Sequence, residues 1–183
     1  MTNTKPKRQI GKNDPTFEHA GEYFSYDPET GVLSRKRGRN YRCNRKLGPT
    51  GFKNDLGYLI TTASGKSVSV ARIAWILMTG KSCANEIDHI NRIPDDNRWC
   101  NLREAKRFEQ NGNRNLRRDN KSGLCGVTKS ERDTWRAQGP GSKGNRYLGS
   151  FKTKEEAAVA YDIAASKHFG EFYRPAALNA GPR

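Results

Sequence analysis

The longest uninterrupted apolar run in this 183-residue sequence is six residues, Ile73-Ala74-Trp75-Ile76-Leu77-Met78. That ceiling constrains the fold more than any other feature. A membrane-spanning helix needs about 20 apolar residues. No run approaches that, so the chain is read as short elements, punctuated by turns, that close small cores. The 33% hydrophobic content suits two small modules better than one large core, while 9% aromatic residues, three Trp among them, separate the sequence from disordered chains. With 34 Lys and Arg against 19 Asp and Glu the formal charge is +15, a surplus that calls for a polyanionic partner. Cys43, Cys83, Cys100 and Cys125 are too far apart for a zinc ribbon or redox pair and read as reduced, structurally incidental thiols.

Residues 1–20 read as a flexible basic arm. Tyr23-Phe24-Ser25-Tyr26, the turn Asp27-Pro28-Glu29-Thr30-Gly31 and Val32-Leu33-Ser34 predict a β-hairpin, since Pro28 presets the turn and Gly31 supplies positive φ. Between Ser34 and Lys53 stand eight basic residues and no acid. Seven of them, Arg35, Lys36, Arg37, Arg39, Arg42, Arg45 and Lys46, form a block that attracts phosphates by counterion release; the alternative is a solvated loop. Residues 57–62 and 67–70 predict a second hairpin, followed by an amphipathic helix from Ala71 to Thr79 stopped by Gly80.

Further on, Cys125–Thr128, Thr134–Gln138 and Arg146–Phe151 alternate like three antiparallel strands. Thr153-Lys154-Glu155-Glu156 reads as a capping box opening a helix whose apolar stripe runs from Ala157 to Phe169. The linker, residues 115–122, carries Arg117 and Arg118 as further phosphate-binding candidates.

The segment from Glu86 to Asn113 concentrates polar chemistry. A carboxylate (Asp88) and an amide oxygen suit a hard divalent cation such as Mg²⁺, which takes its other ligands from water and phosphate. An imidazole beside it (His89) can activate water at neutral pH. On a regular strand, however, adjacent side chains point to opposite faces, so Asp88 and His89 can act together only if the strand end is twisted or the scissile phosphate sits across it.

The run Ile87-Asp88-His89-Ile90-Asn91, then Asp96-Asn97-Arg98, Asn101-Leu102-Arg103 and Gln110-Asn111, resembles the HNH motif of phage homing endonucleases with their ββα-metal fold. Tyr26–Leu33, Gly57-Tyr58-Leu59 and Arg72–Trp75 resemble the lead-in of that family, so the likeness covers roughly residues 23–114 and marks 21–114 as an HNH domain. The resemblance implies His89 as general base, Asp88 and Asn111 as ligands of one Mg²⁺ (or Mn²⁺) ion, and Asn101 as the middle Asn that ties the loop to the strand. Asn111 takes the place of a final His, which favours harder cations over Zn²⁺. Ala71 stands where related sequences often carry a His.

Residues 123–179 resemble the ethylene-response-factor (Apetala) DNA-binding domain through Gly126-Val127, Trp135-Arg136-Ala137, Tyr147–Phe151, Glu155–Ala158, Ala160-Tyr161-Asp162 and Phe169–Phe172. That likeness implies a three-stranded sheet lying in the major groove of duplex DNA, a width the groove accepts, with Lys129, Arg132, Trp135, Arg136 and Arg146 as contacts. Packing beneath the sheet is the alternative for Trp135.

The expectation is therefore an α+β protein. N-terminal β-hairpins lead into a ββα-metal module, and a three-stranded antiparallel sheet packed on one helix follows. It would be a site-directed endonuclease on double-stranded DNA, with no membrane association and no obligate protein partner. A non-catalytic DNA-binding regulator is the alternative, and an RNA-binding protein a third. The polar, basic opening predicts no secretory leader and a cytoplasmic location, in a bacterial host if the chain is phage-encoded.

Overall fold

The structure, a computed structural model, describes residues 11–36, 47–114, 116, 119–130, 133–141 and 144–175. The chain divides into two compact units, residues 1–107 and 108–183.

The first unit opens on a helix, α1 (Phe17–Tyr23), whose N-cap Thr16 accepts from the His19 amide. This corrects the expectation of a flexible arm through residue 20. A seven-residue helix is marginal alone in water, and this one is held because Ala20 is fully buried in the unit's core. Asp14 is fixed as well: Arg72 Nε and Nη2 donate to its carboxylate at 2.7 and 2.6 Å, and the Ser82 hydroxyl donates to it too.

The first hairpin pairs β1 (Phe24–Tyr26) with β2 (Leu33–Arg35), and β3 (Gly48–Pro49) extends it. A second sheet takes β4 (Phe52–Lys53), β5 (Leu59–Ala63) and β6 (Lys66–Ser69) in order, with Ser64-Gly65 as a two-residue turn. The two-residue strands β3 and β4 fall in the basic block and its exit, where the sequence predicted none.

Helix α2 (Val70–Thr79) organises the unit. Ser69 caps its start and Gly80, at φ 76°, ends it in the left-handed region. Val70, Ile73 and Ile76 face a core shared with Phe24, Leu33, Ala63 and Val68, while Ala71 and Ala74 face Leu102. A helix apolar on more than one side has to be packed on more than one side. Beyond it, β7 (Glu86–His89) pairs antiparallel with β8 (Leu102–Ala105), and a 3₁₀ turn (Trp99–Asn101) leads into β8. The one-turn helix α3 (Arg107–Gln110) straddles the division between the units.

In the second unit a 3₁₀ turn (Asn111–Asn113) packs through Gly112 against Phe169. The sheet β9 (Val127–Lys129), β10 (Trp135–Gly141) and β11 (Gly144–Phe151) is antiparallel with β10 in the middle. Helix α4 (Lys154–Phe169) covers one face, with Val127, Ala137 and Ala157 at the centre of the contact. The capping box is reciprocal: Glu156 N donates to Thr153 Oγ1 and Thr153 N donates to Glu156 Oε2, each at 3.2 Å. No helix among the described residues is long and apolar enough to cross a membrane.

Candidate active site

The β7–β8 hairpin sets Asp88 opposite Arg103 and His89 opposite Leu102. Between the strands the chain makes a loop, residues 90–98, held by backbone hydrogen bonds and by side-chain amides. Asn101 Oδ1 accepts from the Asn91 amide (2.8 Å), and its Nδ2 donates to Asn91 Oδ1 (2.9 Å) and to the Asp96 carbonyl (2.7 Å). Asn101 is buried, so each of these bonds replaces one to water that the fold has removed. Asp96 in turn accepts from Asn91 Nδ2 and from Arg98, whose guanidinium holds the Asp96 carboxyl down to about 2.

His89 ends β7 and is 5% exposed. Its Nε2 lies 3.2 Å from Oδ1 of Asn97, which is 2% exposed. Because Asn97 Nδ2 donates to the Asp95 carbonyl (3.2 Å), its Oδ1 faces the imidazole and accepts from Nε2–H. An Nε2–H donor is the tautomer that matches this acceptor. Burial pushes the His89 pKa below its ordinary value, against the raising effects of the Asn97 hydrogen bond and the nearby Asp88, Asp96 and Asp95 charges. A neutral imidazole at physiological pH is the form a base requires.

The partner is braced from the first hairpin. The Tyr26 hydroxyl donates to the Asn97 carbonyl (2.6 Å), and the Trp99 amide donates to the Pro28 carbonyl (3.0 Å). Gly31 sits against the same stretch: a Cβ there would lie 2.5 Å from Arg98 N and 2.6 Å from the Asn97 carbonyl carbon. Tyr58 covers the other side, its ring centroid 5.6 Å from that of His89. Burial, then the Asp88 and Glu86 charges, raise its hydroxyl pKa, so it stays protonated.

Asp88 is mostly buried, and both Nε (3.0 Å) and Nη2 (2.8 Å) of Arg103 donate to its Oδ2. Asn111 is exposed at the start of the 3₁₀ turn of the second unit. Among the described residues no three His, Cys, Asp or Glu side chains gather into a ligand cage. Asp88 offers the kind of oxygen a hard cation takes, because Mg²⁺ or Mn²⁺ binds through one or two protein oxygens and completes its shell with water and substrate phosphate.

The nucleic-acid candidates scatter more than the sequence suggested. Arg37, Arg39, Arg42, Arg45, Lys46, Arg117, Arg118 and Arg132 lie outside the described residues. Lys36 is exposed. Arg35 is a correction: it is 6% exposed, lies over the Phe24 ring (4.6 Å) and donates to the Thr62 carbonyl (2.8 Å), so it joins β2 to β5 inside the fold and does not face a ligand. The pleat had signalled this, since Arg35 shares a face with buried Leu33.

In the second unit, register separates residues that the resemblance had grouped. Arg136 pairs with Thr128 and Ser150 on the face away from α4 and lies over Tyr147 (5.1 Å). Arg146 pairs with Gly139, whose missing side chain would point at Leu148 and Ala164, so Arg146 is on the α4 side. Trp135 is half-buried and packs against the Val127–Ala137–Ala157 core, the alternative held open for it. Lys129 is exposed and pairs with Asp133 (2.8 Å).

Sequence reasoning assigned no role to Asn97, Arg103, Tyr26 or Tyr58. Asn97 stood inside the Asp96-Asn97-Arg98 run, but its role depends on a loop that returns it to His89. No curated protein and no solved structure matches the chain. One family comparison does: residues 68–113, a quarter of the chain running from β6 through His89 to the turn bearing Asn111, match the HNH endonuclease family.

Proposed function

We propose that the protein is a metal-dependent DNA endonuclease in which His89 is the general base and Asp88 and Asn111 hold one Mg²⁺ or Mn²⁺ ion. The observation that carries this reading is the HNH endonuclease match over 68–113, which encloses all four of His89, Asp88, Asn101 and Asn111. When bound, the cation supplies charge stabilisation to the scissile phosphate and the departing 3′ oxygen. The rest belongs to the chain. Asn97 orients the imidazole that takes a proton from the attacking water, and Asn101 keeps the loop that carries Asn97 closed on the strand. Arg103 orients the Asp88 carboxylate from the neighbouring strand.

The second unit serves as the DNA-binding module, of the ethylene-response-factor (Apetala) kind, with the Arg136–Tyr147 face toward the groove. Homing by a phage-encoded enzyme is the biological role in keeping with the resemblance. A regulator that binds without cutting is the second reading, favoured by the depth at which His89 lies and by the ion pair already made by Asp88.

Incubating supercoiled plasmid and linear duplex with wild type, His89→Ala and Asn97→Ala in Mg²⁺, Mn²⁺ or EDTA decides between the two. The endonuclease cuts in metal and not in EDTA. His89→Ala loses roughly 10²-fold or more of the rate, and Asn97→Ala loses less because it only positions the base. Cutting that survives His89→Ala moves the base elsewhere, and tight duplex binding without cutting under any metal leaves the regulator.

A further inference from the structure

The second unit contains a cavity of about 610 Å³ on the α4 side of its sheet, where the β10–β11 hairpin runs past the end of the helix. Local sequence explains why the space is open. Gly139 lets Leu148 and Ala164 close together, and beyond it Gly141 and Gly144 have no side chains with which to fill the gap. Three cationic or basic side chains border it from two elements: Arg146 from β11, and Lys167 and His168 from the last turn of α4. Among the described residues, no Asp or Glu lines it. Among the described residues neither Arg146 nor Lys167 forms an ion pair, whereas Lys129 of the same sheet has its acid.

Cations in the last turn of a helix are favoured by the helix dipole, which accounts for Lys167 and His168 but not for Arg146 on the facing wall. Arg146 and Lys167 together make this wall a favourable place for an anion. The space falls in the range of small-molecule sites and exceeds what an inorganic anion needs. Leu148, Ala164 and Pro140 add apolar wall beside the charges.

We propose that this cavity binds a phosphate ester, with Arg146 and Lys167 on the phosphate and the attached sugar or base against Leu148 and Ala164. Arg can grip two phosphate oxygens in its planar fork, while Lys adds a point charge. The site lies on the face opposite Arg136 and Tyr147, so it is separate from the surface assigned to the groove, and it does not depend on any role for His89. The phosphate ester can come from a DNA strand or from a free nucleotide.

The test uses the full chain in EDTA, so that cleavage plays no part. Wild type, Arg146→Ala, Lys167→Ala and the double variant are compared with Lys154→Ala, which removes the same charge outside the cavity. Circular dichroism checks that each variant folds; all the altered side chains but Lys154, which is half-buried, are exposed. One arm follows binding of a fluorescent duplex across salt concentrations, and the other follows the His168 ring and Leu148 methyl NMR signals during addition of a 5′-mononucleotide. If the ester belongs to DNA, the double variant lowers the slope of log affinity against log salt by about 0.9, the amount for one lost phosphate contact, and Lys154→Ala leaves the slope near wild type. If it belongs to a free nucleotide, the signals shift saturably in wild type and not in the double variant. The proposal is overturned if both arms read the double variant as wild type, or if Lys154→Ala reproduces its effect per charge removed.

Discussion

His89 illustrates how much a single residue's environment decides. As a dipeptide with Asp88 it is unremarkable; enclosed at the end of β7 and paired with a buried amide, it becomes a buried imidazole held in one orientation. Its lowered pKa has a consequence for stability. The unfolded chain takes up a proton near the ordinary value of 6.5 while the folded chain does so only at lower pH, so the unfolded state binds more protons in that interval and stability falls as pH falls through it. In EDTA, the melting temperature of wild type is expected to drop between neutral and mildly acidic pH. His89→Gln, which has no proton to gain, should show a flatter profile. Parallel profiles would place the acid sensitivity at other groups.

At the scale of elements, the first hairpin is a brace for the candidate site as well as a part of the core. Its turn, Asp27 to Gly31, brings Gly31 within reach of the backbone at 97–98, and Tyr26 holds the Asn97 carbonyl. Gly31 also sits at φ 73°, where a Cβ costs about 1–2 kcal/mol even in open space. Gly31→Ala combines that penalty with overlap against backbone that has no rotamer to escape into. We expect it to destabilise the first unit by more than about 1 kcal/mol in a denaturant titration and to slow cleavage, because Asn97 must shift. A variant with wild-type stability and rate would show that the hairpin and the loop are not coupled. The hairpin itself was legible, since Pro28 and Gly31 are local turn signals. Its contact with residue 97 was not, because nothing within a few positions of either segment encodes it.

At the scale of the molecule, a formal charge of +15 spread over two small units would make the proposed association with DNA chiefly electrostatic. If six or more phosphates are neutralised, duplex affinity should fall roughly 10³-fold or more between 50 and 200 mM salt. A weak salt dependence would mean that few of the surplus cations touch the backbone. Burial of Arg35 shows why charge counting overstates such contacts: a side chain in the basic block can be spent inside the fold.

What the sequence by itself determined was everything governed by neighbours along the chain. That includes the turn at Asp27–Gly31, the stop at Gly80, the capping box at Thr153, the alternation of the last three strands and the HNH-like spacing from Asp88 to Asn111. Dihedral preferences, capping bonds and side-chain periodicity act over a few residues, so they can be read without knowing the fold. Helix α1 was not among these: Thr16 caps it in the structure, but only burial of Ala20 makes so short a helix stable. The tertiary structure alone decided that Asn97 meets His89, that Arg103 meets Asp88, that Arg35 is internal and that Arg136 and Arg146 occupy opposite faces of one sheet. Each of these depends on which segments pack together and in which register, and a one-residue change of register reverses the face on which every side chain lies.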